Sequence, residues 1–173
     1  MRIMLKDVIK MGDPKLSQRS LEIEEYEFNT PELNALIVDM TDTMRHLGGV
    51  GIAAVQIGVL KRIALIEYDN SNTRYANIGS QSLTVVINPE LVMYGTELLE
   101  RDEGCLSVPT VRGVTSRAKA LRYKFFDQYG KLVEGISDDF FARVLQHETD
   151  HMNGILYPER IPNLKTLRLV NLK

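Results

Sequence analysis

The fold that this sequence predicts depends on one stretch near its C-terminal end, Ser137-Asp138-Asp139-Phe140-Phe141-Ala142-Arg143-Val144-Leu145-Gln146-His147-Glu148-Thr149-Asp150-His151-Met152-Asn153-Gly154. Ser137 and the two aspartates after it are helix-start signals, because short polar side chains cap the first N–H groups and the helix dipole favours acids there. Gly154 is a helix-stop signal. Apolar residues occupy so wide a face of this helix that we expect it to lie at the centre of the protein.

The predicted helix carries the pattern H-E-x-x-H, from His147 to His151. Two histidines four residues apart lie one turn apart on the same helix face, so both imidazoles can reach one metal ion. Glu148 stands beside them as a carboxylate able to take a proton from water. The pattern therefore predicts metal-assisted attack of water on a carbonyl, a chemistry that peptidases and amidases share.

A catalytic site of this type needs a third protein ligand and an open position. The metzincin peptidases would have a histidine at position 157, where this chain has Tyr157. The thermolysin-like peptidases use an acid from a later helix, but the only acidic residue after His151 is Glu159, a few positions away. His46 is predicted in the last turn of another helix, where a histidine commonly serves as a cation or donor.

Cys105 is the remaining soft ligand, in the segment Glu103-Gly104-Cys105-Leu106-Ser107. A lone cysteine is often only a small buried side chain, but a thiolate is also a good ligand for zinc or ferrous iron. Cys105 with the two histidines would complete a site with an open fourth position. A second polar candidate is Gln56, which lies in an apolar, glycine- and alanine-rich run and must find hydrogen-bond partners if it is buried.

The composition is typical of a soluble globular protein of one domain, residues 1–173, with 44% apolar and 25% charged residues. The net charge is −2 and no block of like charges stands out, so neither a nucleic-acid surface nor a membrane-binding patch is indicated. The first residues lack the apolar core of a leader peptide, and the longest apolar run, 47–60, is shorter than the ~20 residues of a membrane span. We therefore expect a cytoplasmic protein.

The rest of the chain predicts one further helix and several short strands. Thr30 and Pro31 begin an N-terminal amphipathic helix that ends at Gly48-Gly49. Strand character recurs at 62–68, 83–87, 91–94, 121–126 and 131–136, with a polar loop at 69–81 and a short helix within the tail 163–173. The fold class is α+β, with short mixed or antiparallel strands packed around the central C-terminal helix.

Three segments together resemble the signature motifs of the peptide deformylase family, in the family's order. They are Gly49-Val50-Gly51-Ile52-Ala53-Ala54-Val55-Gln56, Glu103-Gly104-Cys105-Leu106-Ser107 and Gln146-His147-Glu148-Thr149-Asp150-His151. The departures are small: Ile52 stands where leucine is usual, the 69–81 loop is longer and the C-terminal extension is short. None of these departures touches an expected ligand or Glu148.

The resemblance implies removal of the formyl group from the N-terminal methionine of new polypeptides, which gives formate and a free amine. It implies that Cys105, His147 and His151 bind one divalent metal ion, natively Fe²⁺ and replaceable by Zn²⁺, Ni²⁺ or Co²⁺. It also implies that water activated by the metal attacks the formyl carbonyl, with Glu148 as general acid-base. The remaining catalytic residues are Gln56 and the Leu106 N–H, which would stabilise the oxyanion, and Gly51, in the segment that pairs with the substrate backbone.

The resemblance also implies a substrate pocket, a supporting ion pair and partners. The pocket is expected at Val50, Gly51, Gly104, Phe140 and Val144, and the ion pair joins Glu103 to Arg117. The partners would be N-formylmethionyl nascent polypeptides, with transient contact to the ribosome. Two alternatives remain: a zinc endopeptidase, which lacks its usual third ligand here, and a binding protein with a structural metal, which would normally have a fourth protein ligand.

Overall fold

The computed structural model describes residues 5–70 and 78–170, which form two α-helices and eight strands joined by turns and short 3₁₀ helices. The helices are α1 (Pro31–His46) and α2 (Phe140–Met152). The strands are β1 (Gly51–Ala53), β2 (Ile63–Tyr68), β3 (Gln81–Met93), β4 (Leu98–Cys105), β5 (Val108–Ala118), β6 (Leu121–Phe126), β7 (Leu132–Ser137) and β8 (Arg168–Leu169).

The strands form two sheets, one of five strands in the order β1-β2-β3-β6-β7 and one of three in the order β4-β5-β8. Every strand pair in the two sheets is antiparallel. The predicted α+β class is therefore confirmed. The sequence predicted mixed or antiparallel strands, and the strands in both sheets are antiparallel.

The sequence prediction missed β1, β4 and β5 and divided β3 into two strands. The inward positions of β4 and β5 include charged residues such as Glu103 and Arg117, which pair with each other, so the apolar alternation that marks a half-buried strand is absent. Within β3, Asn88-Pro89 reads as a strand end, but the structure has a bulge there, with Asn88 at φ 50° and a register shift before Glu90. Bulges tolerate a proline inside a strand.

The tail also differs from its predicted short helix. Its described part, residues 163–170, has a 3₁₀ turn, Leu164–Thr166, and then β8, which pairs with Val111 and Arg112 of β5, while residues 171–173 lie outside the described residues. Most of the predicted 69–81 loop, residues 71–77, lies outside the described residues.

Helix α1 begins at the predicted cap. Thr30 Oγ1 accepts the N–H of Leu33 at 3.2 Å, and Pro31 occupies the first turn. Met40 and Met44 of α1 are fully buried and pack with apolar residues of β1, β2 and β3. Within residues 5–70 and 78–170, neither helix has the length and apolarity required to cross a membrane.

Helix α2 lies between two hydrophobic clusters and is buried along most of its length. Leu145 packs with residues of β2, β3 and β6, whereas Met152 packs with β1, β2 and the start of β5. The Asp139 side chain accepts the N–H of Phe141 at 3.0 Å and caps the helix. Gln146 ties the helix to β5, because its side chain accepts from Ala118 N and donates to Ala118 O, both at 3.0 Å.

We predict that Gly154→Ala lowers the free energy of unfolding by about 3 kcal/mol. Gly154 has φ +74°, which costs a side chain about 1 kcal/mol, and an added Cβ would lie 2.7 Å from the Ser17 carbonyl carbon and oxygen. The matched control is Gly95→Ala, because Gly95 also has a positive φ but open space around its Cβ position. Chemical denaturation of the metal-free proteins measures the free energy of unfolding of both variants. Equal decreases in the two variants would contradict the steric argument.

Candidate active site

One cysteine and two histidines converge where β4 ends against α2. Cys105, His147 and His151 each offer one donor atom, and these atoms lie within 4.8 Å of one another. His151 Nε2 is 3.2 Å from Cys105 Sγ, and the two imidazole centroids are 4.9 Å apart. Two imidazoles and a thiolate are a donor set that suits zinc or ferrous iron, so these residues could hold a metal ion.

The sulfur of Cys105 is surrounded by donors. Gln56 Nε2 lies 3.5 Å from it and the Ser107 N–H lies 3.4 Å from it. Burial by itself opposes ionisation of the thiol, but His151 and His147 outweigh that effect and hold the pKa of Cys105 well below its usual range. The site therefore favours the thiolate, the form of cysteine that binds metals.

His147 is oriented by Glu103. The Nδ1 of His147 is 3.0 Å from Glu103 Oε2, and a proton on Nδ1 leaves Nε2 as the free lone pair. This carboxylate–histidine arrangement is common behind metal-binding histidines, where it fixes the ring and its tautomer. Burial opposes a charged imidazole, yet contacts with Cys105 and Glu103 raise the pKa of His147 well above its usual value.

Glu103 is itself held by two buried arginines. Arg117 donates from Nε and Nη2 to the two carboxylate oxygens at 2.7 and 2.9 Å. Arg143 Nε lies 2.9 Å from Glu103 Oε1, as an ion pair without hydrogen-bond alignment. Burial alone would raise the pKa of Glu103, but His147 and Arg117 lower it far below its usual value, so the carboxylate remains ionised.

Glu148 supplies a second buried carboxyl beside the cluster. Its side chain is 3% exposed, and Oε2 has no hydrogen-bond partner among the described residues. Burial raises the pKa of Glu148 to about 7. A carboxyl with that pKa can accept a proton and return it at neutral pH.

Gly51 makes room for Glu148. A Cβ added at Gly51 would collide with Glu148 Oε1 and lie 2.9 Å from Val144 Cγ1. Strand β1 and helix α2 can therefore approach each other only because position 51 carries no side chain.

Gln56 is buried beside Cys105 and its amide is satisfied. Its Oε1 accepts the N–H of Ala53 at 2.9 Å, and its Nε2 donates to Ser107 Oγ at 3.1 Å. The prediction that a buried Gln56 must find hydrogen-bond partners is confirmed by these contacts. They also give the amide a fixed orientation, with its NH₂ group towards the sulfur of Cys105.

A cavity of about 730 Å³ opens beside this cluster. It is lined by eleven of the residues singled out in the sequence: Val50, Gly51, Gln56, Glu103, Gly104, Cys105, Leu106, Phe140, Val144, His147 and Glu148. His151 and Arg117 lie behind this lining and are buried. His46, at the end of α1, does not line the cavity.

Sequence reasoning missed three residues around the site. Ser107 accepts from Gln56, Arg143 pairs with Glu103, and Asp150 accepts from Arg117 Nη1 at 2.8 Å. One feature of the sequence could have indicated Arg143 and Asp150: both are charged residues on a helix that is predicted to lie at the centre of the protein. A buried charge requires an opposite partner, but the sequence does not show which residue supplies it.

A buried carboxyl with a pKa of about 7, next to a Cys-His-His cluster in an open cavity, is suited to activating water. The fold and the site thus define an enzyme of the hydrolase class. The family model for polypeptide deformylases matches residues 5–167. This chain therefore belongs to the polypeptide deformylase family, and the resemblance carried by the three motifs is confirmed.

Individual relatives agree with this assignment. Peptide deformylase 1 of Nitrosomonas europaea is 47% identical over 94% of this chain and 90% of its own length. Peptide deformylase 2 of Ralstonia nicotianae is 44% identical, over 91% of this chain and 88% of its own length. Among solved structures, the class I type b peptide deformylase from Acinetobacter baumannii with bound Met-Ala-Ser has a TM-score of 0.88 and 36% identity, covering 92% of this chain and 100% of that one.

We predict that Glu103→Gln lowers the free energy of unfolding by about 3–5 kcal/mol, because it leaves two buried arginines without their shared carboxylate. The control is Glu67→Gln, which removes the bidentate partner of the more exposed Arg45 and should cost at most about 1 kcal/mol. Denaturation of the metal-free proteins measures both. Similar losses in the two variants would show that burial does not determine how much the ion pairs of Glu103 contribute to the free energy of unfolding.

Proposed function

We propose that this protein removes the formyl group from the N-terminal methionine of newly made polypeptides and releases formate. The observation that carries the proposal is the unpartnered, buried Glu148 beside the Cys105, His147 and His151 donors in an open cavity. Family membership supports the reaction. The relative from Acinetobacter baumannii binds Met-Ala-Ser, a peptide that begins with an unformylated methionine.

In this proposal Cys105, His147 and His151 hold one divalent ion, Fe²⁺ natively, with Zn²⁺, Ni²⁺ or Co²⁺ able to replace it. Their soft sulfur and imidazole donors fit these ions, and the Glu103 contact aims the Nε2 of His147 at the cluster. When bound, such an ion supplies Lewis acidity, which polarises a carbonyl and makes water more acidic.

Glu148 is the general acid-base. Its free Oε2 can accept a proton from the attacking water and later give that proton to the nitrogen of the leaving methionine amine. The raised pKa of Glu148 supports both transfers, because neither the protonated nor the ionised form is strongly favoured near neutral pH.

Two N–H donors are assigned to the oxyanion that develops on the formyl oxygen. They are the Nε2 hydrogen of Gln56 that is not donated to Ser107, which faces Cys105, and the backbone N–H of Leu106; both residues line the cavity. Ser107 and Ala53 hold the Gln56 amide in advance of substrate binding. A preorganised donor of this kind contributes about 3 kcal/mol to transition-state stabilisation.

The substrate backbone is assigned to the open edge of β1. Strand β1 is the last strand of its sheet, and Gly51 lies on it facing Glu148, so an extended peptide can add there as a further strand. The apolar side chains of Val50, Phe140 and Val144 are candidates for the methionine pocket. Gly104 lines the cavity beside Cys105, where the absence of a side chain leaves space for the substrate.

The natural partners in this proposal are N-formylmethionyl nascent polypeptides in the cytoplasm, met during transient contact with the ribosome. Residues 1–173 act as one catalytic domain. The low net charge of −2 and the scattered arrangement of charges support recognition of the peptide itself and not of nucleic acid.

We predict that the metal-loaded protein releases formate from formyl-Met-Ala-Ser and does not cleave the peptide bonds of unformylated Met-Ala-Ser. Glu148→Ala should retain its metal and lose about 10²–10⁴-fold in formate release, the usual contribution of a general acid-base. Thr149→Ser is the matched control on the same helix turn, because Thr149 Oγ1 has no partner among the described residues. Internal peptide cleavage by the wild type, or full turnover by Glu148→Ala, would contradict the proposal.

We predict that Gly51→Ala lowers formate release by about 10²-fold, because the added methyl group displaces the Glu148 carboxylate from its place beside the cluster. Metal content should be unchanged. Gly95→Ala, with open space at its Cβ position, serves as the control for the substitution itself. Wild-type turnover in Gly51→Ala would show that Glu148 does not need its observed position.

A further inference from the structure

The ion pairs behind His147 continue beyond Glu103 and Arg117 to Asp150 in the last turn of α2. Arg117 Nη1 donates to Asp150 Oδ2 at 2.8 Å. Arg160, in the 3₁₀ turn after α2, donates from Nε and Nη2 to the two oxygens of Asp150 at 3.1 and 2.7 Å. The charged chain therefore runs from Arg160 through Asp150, Arg117 and Glu103 to His147.

The inner part of this chain is nearly inaccessible to water. The side chains of Arg117, Glu103 and Asp150 are 3%, 7% and 10% exposed, whereas that of Arg160 is 43% exposed. Arg143 adds a second buried guanidinium beside Glu103. Asp150 therefore supplies the second negative charge that balances two buried arginines.

We propose that Asp150 is a positioning residue for the metal centre, acting through Arg117 and Glu103 on His147, and that Arg160 holds Asp150 in its orientation. The proposal deepens the function proposed above, because it concerns the same three metal-binding residues. Among the described residues, the recorded hydrogen bonds and ion pairs of the Asp150 side chain go to Arg117 and Arg160 and not to a metal ligand, so the proposed influence passes through these partners.

The geometry of Arg117 explains how this influence is transmitted. Its planar fork presents three N–H groups to two carboxylates that come from different elements, Glu103 on β4 and Asp150 on α2. When the carboxylates of Glu103 and Asp150 are both present, the Arg117 guanidinium has one orientation in which it donates to both of them. Without the charge of Asp150, both guanidinium groups compete for Glu103, which turns the carboxylate from His147 Nδ1.

The segment that carries Arg160 also supports the imidazole directly. Tyr157 stacks on His147 with ring centroids 6.3 Å apart, and its hydroxyl donates to the Val111 carbonyl at 2.9 Å. The 3₁₀ turn Tyr157–Arg160 therefore reaches His147 by two routes, one apolar and one through charge. The charged route is the one tested below, since Asp150 and Arg160 can be substituted without replacing Tyr157 itself.

The test measures release of Co²⁺ from the full-length, cobalt-loaded protein to excess chelator, together with its visible absorption spectrum. Asp150→Asn keeps the shape of the side chain and should release cobalt roughly 10-fold faster, in the range found for partners behind metal ligands. Its cobalt absorption bands should shift as His147 changes its orientation. Arg160→Gln should also release cobalt faster, by a smaller factor, and Arg160→Lys should lie between it and the wild type.

The double variant Asp150→Asn with Arg160→Gln tests the order of action. If Arg160 acts only through Asp150, the second substitution adds nothing to the first. Arg45→Gln is the matched control, since Arg45 makes an equally bidentate pair with Glu67 outside this chain of contacts and should leave release unchanged. Arg160→Gln alone keeps the test decisive should Asp150→Asn fail to fold.

Three results would overturn the proposal: unchanged cobalt release and spectrum in folded Asp150→Asn, unchanged or slower release in Arg160→Gln, or additive effects in the double variant. Slower release in Arg160→Gln would mean that Arg160 acts by its charge on the cation and not by orienting Asp150. Cobalt release is measured without substrate, so these outcomes are separate from failure of formate release, which would reject the proposed function instead.

Discussion

The structure depends on the neutralisation of one buried carboxylate, Glu103. Moving a charge out of water costs several kcal/mol, and the cost is offset only when opposite charges and hydrogen bonds meet it with good geometry. Glu103 on β4 meets Arg117 on β5 and Arg143 and His147 on α2. The same set of contacts therefore joins the three-stranded sheet to the central helix and orients the imidazole beside Cys105.

The features predicted from the sequence are those that local patterns determine. Caps and apolar spacing locate α1 and α2, and a five-residue pattern on a helix places His147 and His151 on one face. The strands β4 and β5 do not follow such a pattern, because inward positions are charged and satisfied by one another. The pairing of Asp150 with Arg117, 33 positions away, depends on the sheet register and so was not predictable from either residue.

The proposed catalytic role of Glu148 works against the stability of the protein. Glu103 is met by two arginines and the Nδ1 of His147, whereas Glu148 Oε2 has no hydrogen-bond partner among the described residues. Gly51 adds a second cost, since a glycine within a strand gains nothing from side-chain packing. Both costs fall where β1 faces α2, and the apolar clusters on either side of α2 offset them.

Cys105 and His151 are 46 positions apart, although their donor atoms are 3.2 Å apart. In the unfolded chain a single ion could join the two only by closing that long loop, which costs conformational entropy. Binding of the proposed ion would thus favour the folded state, and a tightly held ion would raise the apparent stability with the logarithm of its concentration. In the proposed metal-bound form, metal supply during synthesis would therefore set how much of the chain escapes unfolding and proteolysis, as well as how much is active.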